Sequence, residues 1–213
     1  MKGATTLFLI RHGHTVGGEE KRYKGHIDVE LSETGERVIQ RLTENLQRLD
    51  HTLDAIYCSD LKRATKSAAI LSDPLGLKPV VIPELRERSF GRWEGMSFEE
   101  ISEEYPGEFG KWKADPLKFS PPDGESTLEV KERTLSAVNG LLKRHQGETF
   151  CIVAHGGVNR IILCHFMGLP LKNIFRIDQD YGCLNIIEIY EDGFPVIKLL
   201  NGAAECLPQR AGS

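Results

Sequence analysis

The chain alternates short apolar runs with longer amphipathic stretches, the spacing expected of strands interleaved with helices. Thr5 to Ile10 reads as a buried strand, closed by the glycine-containing segment Arg11-His12-Gly13. Glu33 to Leu49 sets Val38, Ile39, Leu42, Leu46 and Leu49 on one helical stripe, with Ser32 upstream as its N-cap. Asp54 to Cys58 is a second strand. Ser59 then reads as the cap of a helix to about Leu71, stopped by Asp73-Pro74 and Gly76. Pro79 to Ile82 is a third strand. Leu128, Leu135, Val138 and Leu142 mark a long amphipathic helix. Phe150 to Ala154 is a fourth strand, delivering His155-Gly156-Gly157 into a helix that lasts to about Met167. Cys183 to Tyr190 and Pro195 to Leu200 form a closing hairpin around Glu191-Asp192-Gly193.

This pattern predicts an α/β fold: a three-layer sandwich with a mostly parallel central sheet flanked by helices. The regular alternation lapses from Ser89 to Ser126, a stretch rich in aromatics, Pro and Gly. That stretch reads as a small helical and irregular cap insertion, about residues 89–126, with Ser126 capping the helix that follows. Without a repeat or a long linker, residues 1–213 read as a single domain. In such sheets, sites lie beyond the carboxyl ends of strands, where both Arg11-His12 and His155 fall.

Composition narrows the partners. The hydrophobic fraction is 40%, the charged fraction 27% and the formal charge −4, ordinary for a soluble protein and unlike a nucleic-acid or acidic-membrane binder. The first apolar run, Leu7 to Ile10, is too short for a signal segment or a span. The five cysteines, Cys58, Cys151, Cys164, Cys183 and Cys206, are odd in number and form no C-x-x-C pair. They argue against a disulfide framework or a zinc knuckle and fit a reducing, cytoplasmic setting. The oligomeric state stays open between monomer and homodimer.

Four segments carry candidate chemistry: Arg11-His12-Gly13, Ser59 to Arg63, Leu85 to Gly95 and His155-Gly156-Gly157. Three of them sit at strand ends, and together they supply two Arg, two His and one Glu. Phosphoryl transfer needs positioning and charge stabilisation more than covalent help, and guanidinium forks match phosphate oxygens. Losing one such clamp should cost on the order of 3 kcal/mol in the barrier. Each segment alone has a plainer reading: a polar turn, a solvated loop carboxylate, a capping residue.

In this order, and with Gly25 to Gly35, the segments resemble the histidine phosphatase superfamily, the phosphoglycerate-mutase-like proteins, over roughly Thr5 to Leu200. The resemblance implies His12 as the nucleophile that becomes phosphohistidine. It implies Arg11, Arg63 and His155 as the clamp on the phosphoryl group, and Glu87 as proton donor to the leaving oxygen. Substrate contacts extend to Arg11, Thr15, Lys24, Gly25, Arg63, Glu87, His155 and Gly156. No metal or other cofactor is implied. The partner is a small phosphorylated substrate.

The chain departs from the family at His14, where Glu or Gln is common, and at Gly18, where Asn is frequent. His14 takes no family role, and the His12-x-His14 pair has no carboxylate or Cys at ligand spacing. Cofactor-dependent mutases carry an Arg-Arg pair in the cap. Residues 89–126 contain none here, leaving Lys111, Lys113 and Lys118 as weaker substitutes. The balance favours a phosphatase over a phosphoglycerate mutase. Phe90 to Gly95, Tyr105-Pro106 and Pro121 to Ser126 resemble the α-ribazole phosphatases, which implies α-ribazole 5'-phosphate or a range of small phosphate esters as substrate. Phe90, Trp93, Phe98, Tyr105, Phe109, Trp112 and Phe119 read mostly as local core, with one or two open to a planar leaving group. Two readings from other classes stand beside these, a non-catalytic phospholigand-binding module and a metal-dependent hydrolase.

Overall fold

Burial of alternate residues of β1 (Thr5–Arg11) on opposite faces sets the layers in the computed structural model, which describes residues 3–20, 22–48 and 52–203. Leu7 and Leu9 pack against α5 (Thr127–Arg144) and α6 (Gly156–Phe166), whereas Phe8 and Ile10 pack against α1 (Glu33–Leu46) and α2 (Lys62–Ser72). A strand apolar on both faces needs helices on both, and the expected three-layer sandwich follows.

The sheet has six strands in the order β3-β2-β4-β1-β5-β6, with β2 Ala55–Cys58, β3 Val80–Val81, β4 Thr149–Ala154, β5 Leu184–Ile189 and β6 Pro195–Gly202. The first four in that order run parallel, β5 runs antiparallel to β1, and β6 runs antiparallel to β5. β4 slots between β1 and β2, in register Arg11↔Ala154 with β1. The chain segments that leave β1 and β4 therefore emerge side by side.

Several local expectations shift. Ser59 is not the cap of α2; Leu61 holds that position, and the Ser59 hydroxyl accepts from Leu61 N at 3.3 Å. Asp28 Oδ1 instead takes the Lys62 N–H at 2.7 Å, so a distant carboxylate satisfies a donor of the first turn. β3 shrinks to two half-exposed valines at the sheet edge. The buried stripe of α5 is Val130, Thr134, Val138 and Leu141, and Leu128 lies exposed. Leu49 and Cys206 lie outside the described residues.

Other expectations hold. Ser32 caps α1 through Gly35 N, and Ser126 forms a capping box with Glu129 at the start of α5. The cap insertion contains α3 (Phe98–Glu104) and α4 (Pro106–Ala114) around a small core of Trp93, Ile101 and Phe109. No helix among the described residues is long and apolar enough to cross a membrane.

Candidate active site

His12 follows the last residue of β1, and His155 follows the last residue of β4. Strand pairing continues one step beyond the named register, since His12 N donates to Ala154 O at 3.0 Å. The two imidazole centroids are 5.1 Å apart, and both rings are buried. His12 Nδ1 lies 2.7 Å from Gly13 O. A carbonyl only accepts, so Nδ1 carries the proton and Nε2 keeps its lone pair.

Cations surround that lone pair. Burial, then Arg63 and Arg11, and more weakly Lys24, hold the His12 pKa well below the ordinary imidazole range. The ring is a neutral base at neutral pH. His155 is depressed too, by burial first, then by His12 and Arg63. Its Nδ1 accepts from Arg63 Nε at 3.3 Å, which leaves the proton on Nε2. Among the described residues that buried Nε2 has no hydrogen-bond partner, and neither does Arg11 Nε. Unpaired buried donors are costly, and two of them in one site are suited to an anionic ligand's oxygens.

Arg63 occupies the first turn of α2, where Nη1 donates to Ile27 O at 2.8 Å and Nη2 to Gly25 O at 2.7 Å. Gly25 has φ +47°, a left-handed conformation that favours glycine, and a Cβ there would run into the Glu94 carboxylate. Arg11 Nη1 donates to Gln179 O at 2.5 Å, and the guanidinium carbon lies 3.7 Å from the Tyr181 ring centroid. Lys24 Nζ donates to Thr15 Oγ1 at 2.8 Å. Gly156 opens α6 directly after His155. His14 is exposed and makes a tilted ring contact with Tyr181, centroids 4.5 Å apart.

Glu87 reaches the same cleft from the loop after β3. Its Oε2 accepts from Gly157 N at 3.0 Å and its Oε1 from Arg88 N at 2.9 Å. Its backbone carbonyl is held twice, by His26 Nε2 at 2.8 Å and Arg133 Nη2 at 3.0 Å. Arg86 turns away to a bidentate pair with Asp60.

Two concavities meet at Glu87. A cleft of about 190 Å³ is lined by Arg11, His12, Lys24, Arg63, Glu87 and Tyr181, among others. A cavity of about 220 Å³ beneath the cap is lined by Glu87 and by apolar side chains including Phe90, Trp93, Phe109, Trp112 and Ile161. Of the sequence-expected residues, Arg11, His12, Thr15, Lys24, Gly25, Arg63 and Glu87 line this cleft, whereas His155 and Gly156 do not line it, His155 lying against His12 and Arg63. Among the described residues, no group of three or more His, Cys, Asp or Glu is arranged to hold a metal ion.

Sequence reasoning missed Tyr181, whose ring centroid is 5.5 Å from that of His12. It also missed the buried amides behind Arg11: Gln179 Nε2 donates to Asn185 Oδ1, and Asn185 Nδ2 to Leu9 O. These residues precede or begin β5, whose antiparallel direction brings its start beside the end of β1 that leads into His12. A rule that inspects only the carboxyl ends of strands passes over them.

The comparisons with known proteins agree with this geometry. The chain is 31% identical to phosphoserine phosphatase 1 of Hydrogenobacter thermophilus over 91% of its own length and 90% of the relative's. It is 28% identical to the adenosylcobalamin/alpha-ribazole phosphatase of Escherichia coli, over 93% and 96% of the two chains. The crystal structure of the alpha-ribazole phosphatase from Shigella flexneri superposes with a TM-score of 0.84 at 29% identity, covering 92% of this chain and 96% of that one. The model of the histidine phosphatase superfamily, branch 1, matches residues 7–202, and the chain belongs to that superfamily.

Proposed function

We propose that the chain is a phosphate monoester hydrolase in which His12 Nε2 attacks phosphorus and Glu87 serves the leaving oxygen. The position of Glu87, between the cationic cleft that holds His12 and the apolar cavity under the cap, carries this reading. In the first step an N–P bond forms and the P–O ester bond breaks. The electron pair leaves on oxygen, and the Glu87 carboxylic acid delivers its proton there. In the second step water attacks phosphohistidine, the resulting Glu87 carboxylate takes its proton, and the N–P bond breaks to release phosphate. Arg11, Arg63 and the His155 Nε2–H neutralise charge on the phosphoryl oxygens throughout. Thr15, Lys24, Gly25 and Gly156 complete the wall.

Hydrolysis is favoured over mutase chemistry by the cavity walls. Lys111, Lys113 and Lys118 are exposed, and none lines the cleft or the cavity. The cap lysines therefore offer a second phosphate no clamp of the kind a bisphosphorylated intermediate requires. A binding module needs neither a buried neutral imidazole nor a carboxylate opposite it, so catalysis accounts for more of the site. The relatives named above act on phosphoserine and on α-ribazole phosphate by their names, and small phosphate esters of that kind are the substrates to test.

The experiment is phosphate release from aryl phosphates, α-ribazole phosphate, phosphoserine, sugar phosphates and phosphoglycerates, with 3-phosphoglycerate isomerisation followed in parallel. Expected is chelator-insensitive hydrolysis that His12→Ala abolishes, with acid-labile phosphate trapped on His12 of the wild type. Isomerisation outrunning hydrolysis, or label on another residue, would overturn the reading.

A further inference from the structure

Arg160 lies in the second turn of α6, in the wall of the apolar cavity, with its head group on the Arg11 side of Gly156. Its Nε donates to Ile177 O at 2.7 Å, which fixes the plane of the guanidinium. Among the described residues its two terminal nitrogens donate no hydrogen bond. The carboxylate paired with it, Asp178, is 3.6 Å away, and its side chain is 80% exposed, so solvent screens most of that attraction. Burial, then the like charge of Arg11, hold the Arg160 pKa below the usual arginine range.

The other guanidinium in the cavity wall behaves differently. Arg88 donates from all three nitrogens, to Glu125 O, Thr127 Oγ1 and Phe119 O. Arg160 is the cation in this wall whose outer edge has no hydrogen-bonded partner.

Its placement relative to the chemistry comes from two consecutive glycines. A Cβ on Gly156 would stand 3.2 Å from Arg160 Nη1, and a Cβ on Gly157 would run into the Glu87 carboxylate. The Arg160 head group and the carboxylate that serves the leaving oxygen therefore flank neighbouring residues of one helix. Any leaving group in the cavity has its ester oxygen at Glu87 and its next few atoms within reach of Arg160.

We propose that Arg160 reads a carboxylate on the leaving alcohol, so that preferred substrates join an apolar or aromatic body to an acid group near the ester oxygen. This specifies the leaving group of the phosphatase reading and rests on it. The free edge of a guanidinium matches a carboxylate in a bidentate fork. A second phosphate fits less well, because a dianion would be repelled more strongly than a monoanion by the phosphoryl group already bound.

The test is kcat/KM for 3-carboxyphenyl phosphate, 4-carboxyphenyl phosphate and phosphoglycolate, each against its neutral carboxamide, with phenyl phosphate as reference. Wild type is expected to prefer at least one carboxylate over its amide by about ten-fold or more, a difference near 1.4 kcal/mol. In Arg160→Gln that ratio should fall toward one, and Arg160→Lys should recover part of it. Ratios taken within one variant cancel any general loss of folded or active enzyme. The inference is overturned if wild type prefers no carboxylate, if Arg160→Gln keeps the preference, or if a second phosphate is favoured over the carboxylate. Hydrolysis of phenyl phosphate without any such preference defeats this inference alone, whereas no hydrolysis of any ester defeats the phosphatase reading with it.

Discussion

The backbone N–H of Gly157 donates to Glu87 Oε2 at 3.0 Å, so the helix that follows His155 also holds the carboxylate on the far side of the cleft. The first turn of α6 directs an N–H that has no intrahelical acceptor, and the positive end of the helix dipole, at that carboxylate. One short segment, His155-Gly156-Gly157, thereby spaces the proposed phosphoryl-binding imidazole against the proposed proton donor.

Gly157→Ala should separate activity from stability. The added methyl would push the Glu87 carboxylate off its present position, and misplacing a reacting group by about 1 Å costs on the order of 10²-fold in rate. Alanine is a better helix former than glycine by up to about 1 kcal/mol. Turnover of an alkyl phosphate should fall while the thermal midpoint holds or rises. Wild-type turnover would show that Glu87 has no positional requirement.

Glu87→Gln should slow hydrolysis of alkyl esters by about 10²-fold or more, since the amide cannot deliver a proton. A leaving group that departs as a stable anion needs that proton less. Plotting log kcat/KM against leaving-group pKa should therefore give a steeper line for the variant. Parallel lines would remove Glu87 from the acid role.

Arg133 gives the Glu87 loop its shape. It donates to Glu84 O, Arg86 O and Glu87 O at 2.6, 2.8 and 3.0 Å, and to both carboxylate oxygens of Glu125 at 2.8 and 2.9 Å. Arg133→Met should leave three carbonyls and a half-buried carboxylate without those donors. The cost should be about 2 kcal/mol, below the 3–5 of a fully buried pair because both side chains keep some solvent contact. Urea unfolding measures it. Adding Glu125→Gln should cost little more, as the two changes break one pair. Additive losses would mean that the pair does not act as a unit.

How far these features were legible depends on where their causes lie. Local rules worked for Ser32 and Ser126, because an N-cap is settled within four residues. They failed for Ser59, because the first turn of α2 is completed by Asp28, more than thirty residues away in sequence. Leu128, Leu135, Val138 and Leu142 marked the amphipathic face of α5, and of these Val138 is fully buried while Leu128 is exposed. The observed face runs through Val130, Thr134, Val138 and Leu141, since α5 packs on α6 and on the turn that contains Glu84. Arg11, His12, Glu87 and His155 were legible from segment order. The tethers of Arg11 to Gln179 O and the Tyr181 ring were not, since they depend on β5 entering the sheet in the opposite direction.

The two imidazoles should also make stability depend on pH in a defined sense. His12 and His155 titrate well below the ordinary imidazole value in the folded chain, burial being the first cause for each. In the unfolded chain both return to about 6.5. Below that pH the unfolded state binds more protons than the folded one, so acidification favours unfolding. Their stabilising effect is complete above about pH 7.5 and declines as pH falls from there, by up to about 1.4 kcal/mol per pH unit for each ring. Urea unfolding between pH 7.5 and 5.5 reads this slope before most carboxylates titrate. His12→Asn should reduce the slope, and His155→Asn should too. If wild type and both variants share one slope, the rings accept protons in the folded state, and His12 would lack the free lone pair that attack on phosphorus requires.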